Sequence, residues 1–116
     1  MNRELPLIGC LDNEICFVQE NVISQCKTYR QAVRLSWDLR RHKGITMRTL
    51  AEITGSYPSH ISDYLAKDDK PTRRDLKAED LHTWALAVGN YAVQQWLAKQ
   101  DQLTILEELQ AQRKAA

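Results

Sequence analysis

Apolar side chains recur every three or four residues along most of this chain, and no stretch alternates residue by residue. The pattern is faint over residues 13–25, where Ile15, Val18 and Val22 or Ile23 fall at helical spacing. It sharpens after Thr28. Ala32, Leu35 and Leu39 recur with Val33 and Trp37 beside them, while Arg30, Arg34, Arg40, Arg41 and Lys43 take the other face. That arrangement predicts an amphipathic helix ending at Gly44, with cations in its last turn where the helix dipole favours them. Thr46 is then placed to cap a second helix, with Leu50, Ala51 and Ile53 on its apolar side. Gly55 ends it, because glycine accepts the left-handed backbone that helix ends often adopt. Ser56 and Tyr57 predict a turn. Pro58 fits the first turn of a third helix, where its missing N–H costs nothing. Ile61, Tyr64 and Leu65 give that helix one side to bury, and the polar stretch 67–74, which contains Pro71, predicts a loop.

Helical spacing resumes near Lys77. Leu81, Trp84, Ala85 and Val88 form a stripe that stops at Gly89. Asn90 is placed to cap a helix over 90–99 carrying Ala92, Val93, Trp96 and Leu97. Thr104 and Glu107 fit a capping box, which predicts a separate last helix over 104–114 led by Leu106 and Leu109. Residues 1–11 predict irregular chain. The whole reads as all-α: a compact bundle of five to six helices containing a helix-turn-helix. It divides into a partly helical extension (1–25), a helix-turn-helix core (26–89) and C-terminal helices (90–116).

At 116 residues, 43% hydrophobic and 27% charged, the chain has ordinary globular composition. It can bury one modest core and is too small to enclose a large catalytic cleft. No apolar run approaches the roughly 20 residues of a membrane span, and the start is too weakly apolar for a secretory signal. A cytoplasmic protein without membrane contact is expected. Cys10, Cys16 and Cys26 are odd in number, match no zinc or iron–sulfur spacing and have no histidine nearby, so they are expected to be unbridged core residues.

Charge changes the picture more. Residues 27–77 hold twelve Lys and Arg against six Asp and Glu, a net of +6, while the remainder holds four against nine, a net of −5. A basic middle between acidic flanks suggests a face for a polyanion. The middle is also where two short helices meet across a Gly-containing turn, the arrangement that places a braced helix in the DNA major groove. The brace needs a small residue at the helix crossing, the turn needs Gly four residues later, and the second helix needs a branched apolar anchor six beyond that. Ala51, Gly55 and Ile61 meet those needs in order, and Leu50, Tyr64 and Leu65 complete the inward set.

On those residues LAEITGSYPSHISDYL resembles the helix-turn-helix of the lambda-repressor/Cro superfamily, with the similarity extending over roughly residues 29–88. Thr54 stands where members usually carry an apolar residue, and Pro58 falls early in the second helix for that family. The segment VGNYAVQQWLAKQDQLTILEELQAQRKAA resembles the tail of small regulatory proteins of phages and prophages. The resemblance implies a sequence-specific binder of double-stranded DNA: a transcriptional repressor of phage, prophage or plasmid type, acting as a homodimer on a palindromic operator.

The outward residues at the start of the second motif helix are then the candidates for base reading: Tyr57, Ser59, His60, Ser62 and Asp63. Candidates for phosphate contact are Arg40, Arg41, Lys43, Thr46, Arg48, Ser56, Lys67, Lys70, Arg73 and Arg74. Asp63 would have to face a cytosine amino group or be held by a neighbouring cation such as Lys67. One such motif reads few base pairs, so two copies about 34 Å apart are expected. Trp96, Leu97, Leu103, Leu106 and Leu109 are the candidate dimer interface; Trp37 and Trp84 are expected in the core or at an interface. The alternative is a protein-interaction module or small inhibitor reusing the same scaffold. There is no Gly-rich phosphate loop, metal-ligand set, cofactor motif, effector domain or plausible triad among His42, His60 and His82, so no enzyme is expected.

Overall fold

A computed structural model describes residues 7–8 and 15–115. Among them, six α-helices carry the fold: α1 Glu20–Ile23, α2 Tyr29–Asp38, α3 Met47–Thr54, α4 Pro58–Tyr64, α5 Leu81–Val88 and α6 Ala92–Ala115. A single 3₁₀ turn, Ala78–Asp80, leads into α5. Two antiparallel two-residue strands, β1 Leu7–Ile8 and β2 Phe17–Val18, pair Leu7 with Val18 and Ile8 with Phe17. The all-α bundle expected from periodicity is what forms, and strands this short leave no alternating run to read.

Local chemistry starts α3 and stops α3 and α5 where the pattern says, whereas α2 ends at Asp38, short of Gly44, so that Arg40, Arg41 and Lys43 lie beyond its last turn. Thr28 and Thr46 sit in extended backbone and accept hydrogen bonds from the amides of Gln31 and Thr49, capping α2 and α3. Gly55 and Gly89 close α3 and α5 with φ of 69° and 76°. The apolar stripes then meet in one core: Val33, Leu50, Ala51, Ile61, Tyr64, Leu76, Trp84, Ala87, Val88 and Val93, with Tyr29, Trp37, Leu65, Leu81 and Leu97 against it. A second cluster, Val18, Ile23 and Ala92 with Leu7, Val22, Leu35, Leu39 and Trp96, fastens the N-terminal segment to α2 and α6.

A buried polar column ties these helices together. The Trp84 indole N–H donates to Ser36 Oγ at 2.8 Å, and that hydroxyl donates to the Val33 carbonyl at 2.6 Å. Asn90, 1% exposed, donates Nδ2–H to the carbonyls of Ser36 (3.0 Å) and Leu39 (3.3 Å) and accepts from the Ala92 amide at 3.2 Å. One side chain therefore caps the end of α2 and the start of α6 together.

Three further expectations need correction. The helix expected over 13–25 is only the single turn Glu20–Ile23; Ile15 and Cys16 are buried, and Cys16 is bridged to Asn90 through backbone hydrogen bonds to Gly89 and Tyr91. Their apolar spacing serves burial against neighbouring elements. Second, the two C-terminal helices are one helix of 24 residues. Nothing between Lys99 and Thr104 breaks a helix, so the Thr104 hydroxyl donates back to the Gln100 carbonyl at 3.1 Å and caps nothing. Third, Cys16 is disulfide-bonded while Cys26 is free, its thiol pKa raised by burial. Counting cysteines gives parity and says nothing of which backbone positions approach to bonding distance; Cys10 lies outside the described residues.

Two substitutions test this frame by denaturant unfolding. Asn90→Ala leaves two carbonyls and one amide buried without partners and is expected to cost about 2–4 kcal/mol. Gly55→Ala meets no steric obstacle, since nothing lies within 4 Å of an added Cβ. It should therefore cost only the roughly 1 kcal/mol of a left-handed backbone, and Gly55→Asn less.

Candidate nucleic-acid interface

Residues 46–65 form two short helices joined by the turn 55–57. Leu50 and Ala51 of α3 are buried against Ile61 and Tyr64 of α4. Gly55 and Ser56 both direct their amides to the Ala51 carbonyl, which reverses the chain. Tyr57 is the N-cap of α4 and Pro58 its first residue. The polar Thr54 is accommodated because its hydroxyl donates to the Leu50 carbonyl at 2.8 Å. Tyr64 sets its ring edge-on to Trp84, with centroids 6.2 Å apart, and so fixes α4 against α5.

The opposite side of α4 faces outward at its start. Tyr57 is 71% exposed and stands edge-on to His60, with centroids 5.2 Å apart. Ser59 and Ser62 are exposed and His60 is half-buried. Asp63 departs from this set: its side chain is 15% exposed and is paired with Arg73 at 3.2 Å and Arg74 at 3.1 Å. The Asp63 partners are thus two arginines expected on phosphates, and Lys67 is not one of them.

The segment after α4 is built around Arg30. Expected on the solvated face of α2, Arg30 is instead 5% exposed. Its Nε donates to Asp69 at 2.9 Å and Nη2 to Asp75 at 2.7 Å, while Nη1 donates to the carbonyls of Asp63 and Arg74. Tyr29 adds a hydrogen bond from its hydroxyl to the Leu76 carbonyl at 2.7 Å; burial, then Asp75, pushes that hydroxyl's pKa up to about 12. Arg73 also binds Asp68 at 3.2 Å, and Lys70 lies 3.9 Å from Asp68. From Asp63 to Asp75 four carboxylates stand against four cations, so the loop is charge-balanced.

The remaining phosphate candidates are held in different ways. Arg40 stacks on Trp37, 4.2 Å from the ring centroid, and donates to the Trp37 and Lys43 carbonyls. Lys43 donates to the Asp38 carbonyl at 2.6 Å. Both close the end of α2. Arg41 is exposed, with Nη1 3.5 Å from Cys16 Sγ. Arg48 is 87% exposed and only loosely faces Glu52 at 3.6 Å. The Thr46 hydroxyl is engaged in capping, the Ser56 amide is bonded to Ala51, and Lys67 is exposed. Of the candidate dimer residues, Trp96 donates its indole N–H to the Cys26 carbonyl at 3.0 Å and Leu97 packs on the main core, so both are used within the chain. Leu103, Leu106 and Leu109 are about half exposed on the projecting end of α6, joined by Ile105.

Comparison with protein-family models, with characterised proteins and with solved structures finds no match. The sequence did carry a sign of the Arg30 anchor: Arg30, Val33 and Trp37 share helical spacing, and four aspartates lie among the loop's cations.

The ion pairs set an acid response. Hydrogen bonding from Arg73, and then Arg74, holds the Asp63 carboxyl below its ordinary 3.8, and Arg73 does the same for Asp68. A carboxylate depressed in the folded state stabilises above its unfolded pKa and loses that contribution as pH falls through the folded value. Wild type is therefore expected to lose stability more steeply than Asp63→Asn below pH 3.8. Urea midpoints at descending pH check this; parallel curves refute it.

Proposed function

We propose that this protein is a sequence-specific regulator that binds double-stranded DNA, a repressor of phage, prophage or plasmid type acting as a homodimer on a palindromic operator. The observation that carries this reading is α4: short, packed on one side against α3 and α5, and open on the other at Tyr57, Ser59, His60 and Ser62. A helix held this way can enter the major groove without rearranging the core. His60 and the two serines supply donors and acceptors for base edges, and the Tyr57 ring an apolar surface for a thymine methyl. Arg41, Arg48 and Lys67, with exposed cationic groups, are assigned to the backbone. Asp63 is assigned to holding Arg73 and Arg74.

The dimer contact is assigned to the end of α6. Residues 100–115 are all exposed and reach about 24 Å along the helix. Leu103, Leu106 and Leu109 recur every three residues along one side of it with Ile105 beside them, and Asp101, Glu107 and Glu108 border that strip. This apolar strip is also what favours the second reading, a module that docks on another protein's helix through the same surface.

Selection from a random duplex pool tests the reading: it requires enrichment of a two-fold symmetric site. His60→Ala should weaken that site about five- to 150-fold, or ~1–3 kcal/mol, and leave random DNA unaffected. If no sequence is preferred over random duplex at moderate salt, the regulator reading fails. Sedimentation tests the dimer. Leu106→Lys with Leu109→Lys should leave a folded monomer, and a wild type that is monomeric at micromolar concentration with and without DNA removes the dimer.

A further inference from the structure

We infer that the hollow between the start of α2 and the chain leaving α4 is a binding site for a phosphate group. The hollow has a volume of about 120 Å³ and is walled by Thr28, Arg30, Gln31, Arg34, Lys67 and Asp69. Three of these side chains are cationic and one is anionic, so the wall carries a net charge of +2. Asp69 is turned to Arg30 Nε at 2.9 Å, which neutralises one of the three cations. The other two, Arg34 and Lys67, have neither a hydrogen bond nor an ion pair among the described residues. Elsewhere in the basic middle, Arg40, Lys43, Arg73 and Arg74 are all committed to carbonyls or carboxylates. Arg34 stands on α2 and Lys67 in the chain leaving α4, so two uncommitted cations from separate parts of the chain line one small hollow.

The neutral groups point to the same ligand. Gln31 Oε1 accepts from the Lys27 amide at 2.7 Å, which fixes the side-chain amide and leaves its Nε2 donors unused. The Thr28 oxygen accepts from the Gln31 amide at 3.2 Å, so its own O–H is free to donate. Arg30 has acceptors for four of its five N–H groups. The hollow is thus rich in donors and offers Asp69 as its one carboxylate. A tetrahedral oxyanion is the ligand that satisfies several donors and two cations at once. Its source is either the backbone of a nucleic acid or a small phosphorylated molecule. The site does not depend on the DNA reading, because it is defined by its own donors.

Two measurements test it, each comparing wild type with Arg34→Gln/Lys67→Gln. Neither side chain supports the fold, so the variant should keep its melting temperature. In the first, inorganic phosphate is titrated against chloride at matched ionic strength while the Gln31 side-chain amide resonances, present in both proteins, are followed. A saturable shift that disappears in the variant supports the site. In the second, duplex affinity is measured against salt, with Lys77→Gln/Lys114→Gln as a charge-matched control. A loss several-fold beyond the control, with the salt slope reduced by about 1, supports the site and identifies a nucleic-acid backbone as its source. A phosphate response without that extra loss supports the site and assigns it to a small phosphorylated ligand. If the phosphate shift is absent or survives in the variant, and duplex affinity falls no further than in the control, the inference is overturned. Should wild type bind no duplex, the DNA reading fails and the phosphate titration alone decides the site.

Discussion

The structure around the helix pair depends on one buried guanidinium. Arg30 is taken out of water by the fold, and a buried charge costs several kcal/mol unless its hydrogen bonds are replaced. The replacement comes from Asp69, Asp75 and the carbonyls of Asp63 and Arg74, all on α4 or in the chain that follows it. A loop with little apolar side chain to bury is thereby fixed to α2 by directed bonds. The Asp63 carbonyl belongs to the last turn of α4, so the same guanidinium also satisfies a helix end and helps set the position of α4. Tyr29, one residue earlier on α2, adds the bond to Leu76 that returns the chain to the core.

That anchoring has an electrostatic consequence. Once Asp63, Asp68, Asp69 and Asp75 are folded against Arg30, Arg73, Arg74 and Lys70, the stretch that supplies a third of the basic residues of the middle segment presents little net field. The uncompensated cations lie instead around the end of α2, the start of α3 and the hollow beside Lys67. In the DNA-binding reading this divides the labour: α4 reads, α3 and Lys67 grip, and Arg73 with Arg74 hold the reading helix through Asp63. The division matters because a guanidinium already paired at about 3 Å has to exchange one anion for another, with much smaller gain than a free one.

The polar column has the matching role at the other end of α2. Ser36, Trp84 and Asn90 are satisfied almost entirely by one another and by backbone carbonyls, which fixes the relative register of α2, α5 and α6. Apolar packing alone would tolerate small slides between these helices, whereas directed bonds do not. α6 leaves this packed region by about Lys99 and continues alone into solvent.

What the sequence determined by itself was the set of local structures. Thr46, Gly55, Pro58 and Gly89 mark helix ends because capping oxygens, left-handed backbone and a missing N–H act within a few residues of where they occur. Leu50, Ala51, Ile61, Tyr64 and Trp84 were legible as core because spacing of three or four puts side chains on one face. Tertiary structure alone decided where the charges went. Arg30 and Asp69 are 39 residues apart, Arg74 and Asp63 eleven, and no period links such pairs. It also decided that Cys16 is bridged, and that Thr104 sits inside one long helix, since a capping signal has effect only where the backbone before it has already turned. Local rules fix the elements because their partners are near in the chain. The pairing of charges and the burial of Arg30 depend on which elements meet, and that is settled only when the core forms.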